Sequence, residues 1–121
     1  MKKILVVDDE PDFCYFLKKN LETIGEFEVD TCCDSSDAVV RIKKFKPDIV
    51  LLDILMPKVS GSQIAETLKN DKETCGIPII FITAVTTPKE VSESGNVIAG
   101  RYFIAKPIEI EELVESINKF V

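Results

Sequence analysis

The run Ile49-Val50-Leu51-Leu52 ends on Asp53 and leads into Ile54-Leu55-Met56-Pro57. Four consecutive apolar residues with no polar alternation describe a strand covered on both faces. Such a strand belongs in a sheet with helices above and below it. Working outward, three further runs share this form. Ile4-Leu5-Val6-Val7 ends on Asp8-Asp9, Ile79-Ile80-Phe81-Ile82 ends on Thr83, and Tyr102-Phe103-Ile104-Ala105 ends on Lys106-Pro107. A weaker strand reads from Glu28 to Cys33.

Helix-period segments alternate with these runs. Phe13, Phe16, Leu17, Leu21 and Ile24 form one apolar stripe, with Pro11 suited to its first turn and Gly25 to its stop. Ala38, Val39, Ile42 and Phe45 form a second, ended by Pro47. Ser60-Gly61-Ser62-Gln63 has capping-box spacing ahead of Ile64, Ala65 and Leu68. The last helix carries Ile110, Leu113, Val114, Ile117 and Phe120. Thr87-Pro88-Lys89-Glu90 opens a short fourth helix, and Gly95-Asn96 stops it.

The order is βαβαβαβαβα, which predicts an α/β fold: a doubly wound, five-stranded parallel sheet in a three-layer α/β/α sandwich. Strand order 2-1-3-4-5, the flavodoxin-like arrangement, puts the ends of strands 1 and 3 at the switch point, where open sheets bind ligands. Asp8, Asp9 and Asp53 stand at those ends.

A chain of 121 residues fits one domain, here residues 1–121, with no linker or repeat dividing it. Its net charge of −6 argues against direct contact with nucleic acid, which needs a basic footprint. The apolar stretches are too short to span a bilayer. Met1-Lys2-Lys3 has no signal-peptide core behind it, so a cytoplasmic location and no membrane contact are expected. The four cysteines (Cys14, Cys32, Cys33 and Cys75) form no C-x-x-C pair and read as buried or half-buried thiols. With no histidine, a Ser-His-Asp or Cys-His mechanism is impossible.

Three carboxylates meeting beside the single ammonium of Lys106 leave a negative excess that a divalent cation balances. An oxygen-rich set with water suits Mg²⁺. Asp9 and Asp53 are the direct ligands, with the Leu55 backbone carbonyl as a third and Asp8 acting through water. Such a site suits phosphoryl transfer, which rests on positioning and charge neutralisation. Asp53, ending the central strand, is the nucleophile. Lys106 holds one phosphoryl oxygen. Thr83 and the Ala84 backbone N–H hold another, and the small Ala84 leaves room for the group.

Val6-Val7-Asp8-Asp9-Glu10 resembles the opening of response-regulator receiver domains. Leu52-Asp53-Ile54-Leu55-Met56-Pro57 with Gly61 resembles their phosphoacceptor loop. Thr83-Ala84 resembles their switch hydroxyl and its small neighbour, and Phe103-Ile104-Ala105-Lys106-Pro107 their aromatic-x-x-Lys-Pro motif. The likeness covers essentially the whole chain and is to the chemotaxis-type receiver fold. It implies that Asp53 accepts phosphate from the phosphohistidine of a sensor histidine kinase or phosphotransfer protein, with control of an output partner or domain. It implies that Asp8 and Asp9 bind Mg²⁺, that Lys106 pairs with the phosphoryl group, and that Thr83 moves toward it while Phe103 turns inward behind it. Enzymatic activity would be limited to the domain's own phosphorylation and dephosphorylation.

The chain departs from the family pattern in places. Phe103 stands where tyrosine is frequent, and Ser60 where an acidic residue is usual. Leu55 and Val85, two residues past Asp53 and Thr83, cannot orient an attacking water, which implies slow self-dephosphorylation. Three alternatives compete. A Mg²⁺-dependent phosphatase with an aspartate nucleophile would resemble D-x-D, but Leu55 stands at its second position. A flavin-binding module would need a phosphate loop where Asp8-Asp9-Glu10 repels phosphate. An interaction-only domain with a vestigial site would not label with acetyl phosphate.

Overall fold

The computed structural model describes residues 1–84, 89, 95–98 and 100–121. Five parallel strands run β1 (Lys2–Val7), β2 (Phe27–Cys32), β3 (Ile49–Asp53), β4 (Ile79–Thr83) and β6 (Arg101–Ala105). Their order across the sheet is β2-β1-β3-β4-β6, the 2-1-3-4-5 arrangement of a doubly wound sheet. A two-residue strand, β5 (Val97–Ile98), is an addition the sequence did not reveal. It pairs antiparallel with β6 at the outer edge. The turn before it uses positive φ at Gly95 (70°) and Asn96 (66°), a conformation these two residue types tolerate best. Phe103 N–H donates to the Asn96 carbonyl at 2.7 Å, and Asn96 Nδ2 donates to the Phe103 carbonyl at 3.0 Å.

The helices are α1 (Pro11–Thr23), α2 (Ala38–Phe45), α3 (Gly61–Lys69) and α4 (Ile110–Phe120). The helix expected to open at Thr87 falls outside the described residues. Cores form on both faces of the sheet. Ile4, Val6, Leu51 and Ile104 pack with Leu17 and Leu21 of α1 and with Leu113 and Ile117 of α4. Leu5, Val7, Val50 and Leu52 pack with Ala38 and Ile42 of α2 and with Ile64 and Leu68 of α3. Every side chain of Ile49–Leu52 is fully buried, as its unbroken apolar run requires. At about 1.5–3 kcal/mol per large apolar side chain, these four residues anchor the strand that carries Asp53.

The α1 stripe differs from its reading in the sequence. Phe16 and Ile24 are 40% and 43% exposed, and Cys14 takes a place in the core. The helix rotates so that Cys14, Leu17 and Leu21 point inward, and Ile24 lies past the last helical residue. Phe120 is also 40% exposed, although its ring meets Tyr102 edge-on at 5.2 Å. In α2, a 3₁₀ turn at Ser35–Asp37 precedes the helix, and Lys46 closes it in a left-handed conformation (φ 52°) just before Pro47. Two of the thiols, Cys33 and Cys75, are exposed rather than buried.

The capping box of α3 forms in full. Gln63 N–H donates to Ser60 Oγ at 3.2 Å, and Ser60 N–H donates to Gln63 Oε1 at 3.0 Å. Gly61, the first helical residue, packs directly on the backbone of the loop after β3. A Cβ there would collide with the Asp53 carbonyl oxygen and lie 2.8 Å from Ile54 Cα. Both obstacles are backbone. Gly61→Ala is therefore expected to cost about 2–3 kcal/mol, read as a lower urea midpoint. An unchanged midpoint would show that α3 can back away freely.

Candidate functional site

Three strand ends deliver the site. The β1 and β3 ends neighbour each other in the sheet, with Val7 level with Leu52, so Asp8 and Asp9 emerge beside Asp53. On the other side of β3, Asp53 lies level with Ile82, and Thr83 lies level with Ala105. The Thr83 carbonyl accepts from Lys106 N–H at 2.8 Å, which fixes where the lysine leaves β6.

One carboxylate oxygen from each of Asp8, Asp9 and Asp53 can be chosen so that all three lie within 4.8 Å of one another. Asp8 is fully buried, while Asp53 is 6% exposed and Thr83 3%. Asp8 Oδ1 accepts from Glu10 N–H at 2.9 Å. Asp8 Oδ2 faces the Lys106 ammonium at 3.0 Å as an ion pair, and among the described residues it receives no properly angled hydrogen bond. A buried carboxylate oxygen without a donor, inside a cluster of hard oxygen ligands, fits a divalent cation.

The electrostatics reflect the crowding. Burial pushes the Asp53 carboxyl up to about 6, the Asp8 charge adds to the rise, and the Lys106 ammonium and Leu55 backbone N–H oppose it. Burial also raises Asp8, against the Glu10 N–H and Lys106. For Lys106, burial pulls downward, but the neighbouring carboxylates of Asp8 and Glu10 outweigh it and hold the ammonium above its ordinary value. A carboxylate raised toward neutrality beside a cation and a hydroxyl is an arrangement typical of reactive centres.

The structure brings together Asp8, Asp9, Asp53, Thr83 and Lys106. Ala84 is exposed at the rim. Leu55 is 65% exposed on the loop after β3, with its backbone N–H at the Asp53 carboxylate. Val85 lies outside the described residues. Phe103 lies one layer away, 9% exposed, with its ring stacked on Phe81 at 5.3 Å. Its ring is thus inward in this structure. Arg101 adds its guanidinium over Phe81 at 5.1 Å and donates to Ser62 Oγ at 3.1 Å.

Two contributors escaped the sequence reading. Glu10 Oε1 accepts from Lys106 Nζ at 3.1 Å, and the Phe13 ring lies 4.2 Å from the same ammonium. Lys106 is thus held by a carboxylate on each side and an aromatic face. Glu10 had only its place after Asp8-Asp9 as a signal. Phe13 read simply as core.

Asp9 lines a cavity of about 230 Å³ together with Cys33, Asp34, Ser35, Pro57 and Lys58. A larger cavity of about 580 Å³, lined by Ile42, Lys43, Pro47 and Ile77 among others, lies at the opposite end of the sheet. Its lining has a single carboxylate, Glu73, whereas the smaller cavity borders the carboxylate cluster through Asp9. Among the described residues, no helix is long and apolar enough to cross a membrane.

Comparison with known proteins agrees with this geometry. The model of the response regulator receiver domain matches residues 4–118. Protein PilH of Pseudomonas aeruginosa is 37% identical over 119 residues, which span 98% of this chain and 96% of PilH. The phosphate regulon transcriptional regulatory protein PhoB of Rhizobium meliloti is 34% identical over 118 residues, 98% of this chain and 51% of PhoB, so the chain spans about half of that relative. The solved chemotaxis response regulator CheY4 of Vibrio cholerae superposes with a TM-score of 0.81 at 26% identity, covering 100% of this chain and 99% of that one. Strand order, strand-end carboxylates and relatives together establish that the chain belongs to the response regulator receiver domain family, the phosphoacceptor signalling domains of two-component systems.

Proposed function

We propose that Asp53 is the phosphoacceptor of a single receiver unit spanning residues 1–121, and that it acts in the cytoplasm. The observation that carries this reading is the meeting of three carboxylate oxygens within 4.8 Å beside Lys106. An Asp53 oxygen attacks the phosphorus of a phosphohistidine on a sensor histidine kinase or phosphotransfer protein. The P–N bond breaks, and an acyl phosphate forms. Asp8, Asp9, Asp53 and the Leu55 carbonyl would hold Mg²⁺, which when bound would supply charge neutralisation at the transferring group. Lys106 leaves Glu10 to pair with a phosphoryl oxygen, and Thr83 and the Ala84 N–H donate to another.

The domain also phosphorylates itself from acetyl phosphate and hydrolyses its own acyl phosphate. Switching follows from differential contacts: Thr83 and Lys106 contact a phosphoryl oxygen only when that group is present. The Phe103 ring, packed on Phe81, reports that change to an output domain or protein. Treatment with acetyl phosphate and Mg²⁺ tests the reading. Mass spectrometry should find one added phosphoryl group, located on Asp53. No adduct would favour an interaction-only domain, and an adduct elsewhere would remove Asp53 from its role.

Leu55 governs the lifetime of that adduct. Its apolar side chain is 65% exposed beside Asp53 and cannot hold a water in line. Leu55→Asn should speed hydrolysis about tenfold without disturbing the fold, followed as phosphate release after acetyl phosphate is removed. Rapid loss in the unaltered protein, unmoved by the substitution, contradicts this role.

A further inference from the structure

Beside the acidic cluster lies a pair of thiols that phosphoryl transfer does not use. Cys14 Sγ and Cys33 Sγ are 3.6 Å apart, although nineteen residues separate them. Strand geometry explains the meeting. Cys32 ends β2 and packs with the core on the α2–α3 side. The next residue faces the other way, toward α1, where Cys14 belongs to the opposite core. The Cys32 thiol is engaged elsewhere, donating to the Asp34 carbonyl at 3.1 Å. Cys14 is 2% exposed, whereas Cys33 is open to solvent. One accessible thiol backed by one shielded thiol is the arrangement of an oxidisable pair with its own resolving partner.

Both thiols touch the structure around the acidic cluster. Cys14 donates to the Asp8 backbone carbonyl at 3.3 Å. Cys33 shares the 230 Å³ cavity with Asp9. Two residues on, Ser35 Oγ donates to the Pro57 carbonyl at 2.6 Å and accepts from Val59 N–H at 3.1 Å, tying the same loop to the segment after Asp53.

We propose that Cys14 and Cys33 form a reversible disulfide on exposure to a hydroperoxide, and that this bridge weakens cation binding at the neighbouring carboxylates. The Cys33 thiolate attacks the peroxide, whose O–O bond breaks. Sulfur becomes a sulfenic acid, and the reduced oxygen leaves as an alcohol or water. The Cys14 sulfur then attacks the sulfenic sulfur. The S–S bond forms and the S–O bond breaks, and the departing hydroxide takes the Cys14 proton as water. Two thiols are oxidised by one peroxide. Closing from 3.6 Å to a bond of about 2.05 Å pulls α1 and the loop after β2 together and removes the hydrogen bond to the Asp8 carbonyl. The coupling to cation binding rests on the functional reading above; the thiol pair does not.

The test uses the reduced full chain and hydrogen peroxide. Two of its four thiols should disappear, with a mass loss of two hydrogens, a Cys14–Cys33 cross-link on peptide mapping, and full recovery in dithiothreitol. Cys33→Ser should abolish the cross-link, while Cys32→Ser and Cys75→Ser leave it intact. Covalent dimers through Cys75, a Cys32–Cys33 bridge, or a sulfinic acid on Cys33 beside an intact Cys14 thiol would each overturn the pair. Calorimetry on bridged and reduced protein reads the coupling. Mg²⁺ affinity should fall about tenfold in the bridged form, as when a group supporting a metal ligand is lost. An unchanged affinity overturns the coupling. Absence of Mg²⁺ binding in the reduced protein counts against the functional reading, and the mass data still judge the thiols by themselves.

Discussion

Asp53→Asn is expected to abolish Mg²⁺-dependent labelling by acetyl phosphate and, in the absence of metal, to make the domain more stable. The two effects share one cause. Asp53 is 6% exposed, and burial with the Asp8 charge pushes its carboxyl up to about 6. The ionised group is thus held at a cost. The amide keeps the shape, removes the charge and cannot form an acyl phosphate. The gap between 3.8 and about 6 corresponds to about 3 kcal/mol at full ionisation. Relief of most of it should raise the metal-free melting temperature by about 5–10 °C at pH 7. A lower melting temperature would mean that the Asp53 charge is satisfied by its neighbours. Residual labelling of the variant would place the acceptor elsewhere.

The second large effect concerns pH and metal together. Below about 3.8, Asp53 holds its proton in both the folded and unfolded states, and the penalty is absent. Between about 3.8 and 6 the folded state binds more protons than the unfolded one, so stability falls as pH rises. Above about 6 the penalty is fully present. Asp8, also raised by burial, acts in the same direction. The metal-free melting temperature should therefore fall between pH 4 and pH 7, and Asp53→Asn should flatten that slope. Mg²⁺ works against the penalty where the carboxylates are ionised. With a dissociation constant of about 1 mM, roughly 10 mM Mg²⁺ adds about 1.4 kcal/mol at neutral pH, fading as protons displace it in acid. Thermal scans over this grid decide the matter. A melting temperature indifferent to Mg²⁺ at pH 7 would remove the cation from the site.

Much of this was legible because the informative residues sit at the ends of unbroken apolar runs. Ile49–Leu52 has to be a covered strand, so Asp53 has to emerge at its end. Chain order and the crossover rule then bring Asp8 and Asp9 beside it. Less local features did not show. Phe16 looks as apolar as Leu17, and only the rotation of α1 against the sheet separates the exposed ring from the buried one. Glu10 reads as a surface carboxylate until Lys106, ninety-six residues away, arrives at 3.1 Å. The Cys14–Cys33 approach depends on which face of β2 the chain leaves by. A two-residue strand such as Val97–Ile98 carries no periodicity at all; its pairing with Arg101 and Tyr102 exists only once β6 is in place.

That short strand has a consequence for how the molecule behaves in a crowded solution. A sheet's last strand presents unpaired backbone groups, an open invitation to intermolecular strand addition and aggregation. Asn96 closes the position at Phe103 from both sides, with its carbonyl taking the amide hydrogen and its side-chain nitrogen covering the carbonyl. A foreign strand can pair with β6 at Phe103 only by first displacing Asn96, so one asparagine guards that position against self-association.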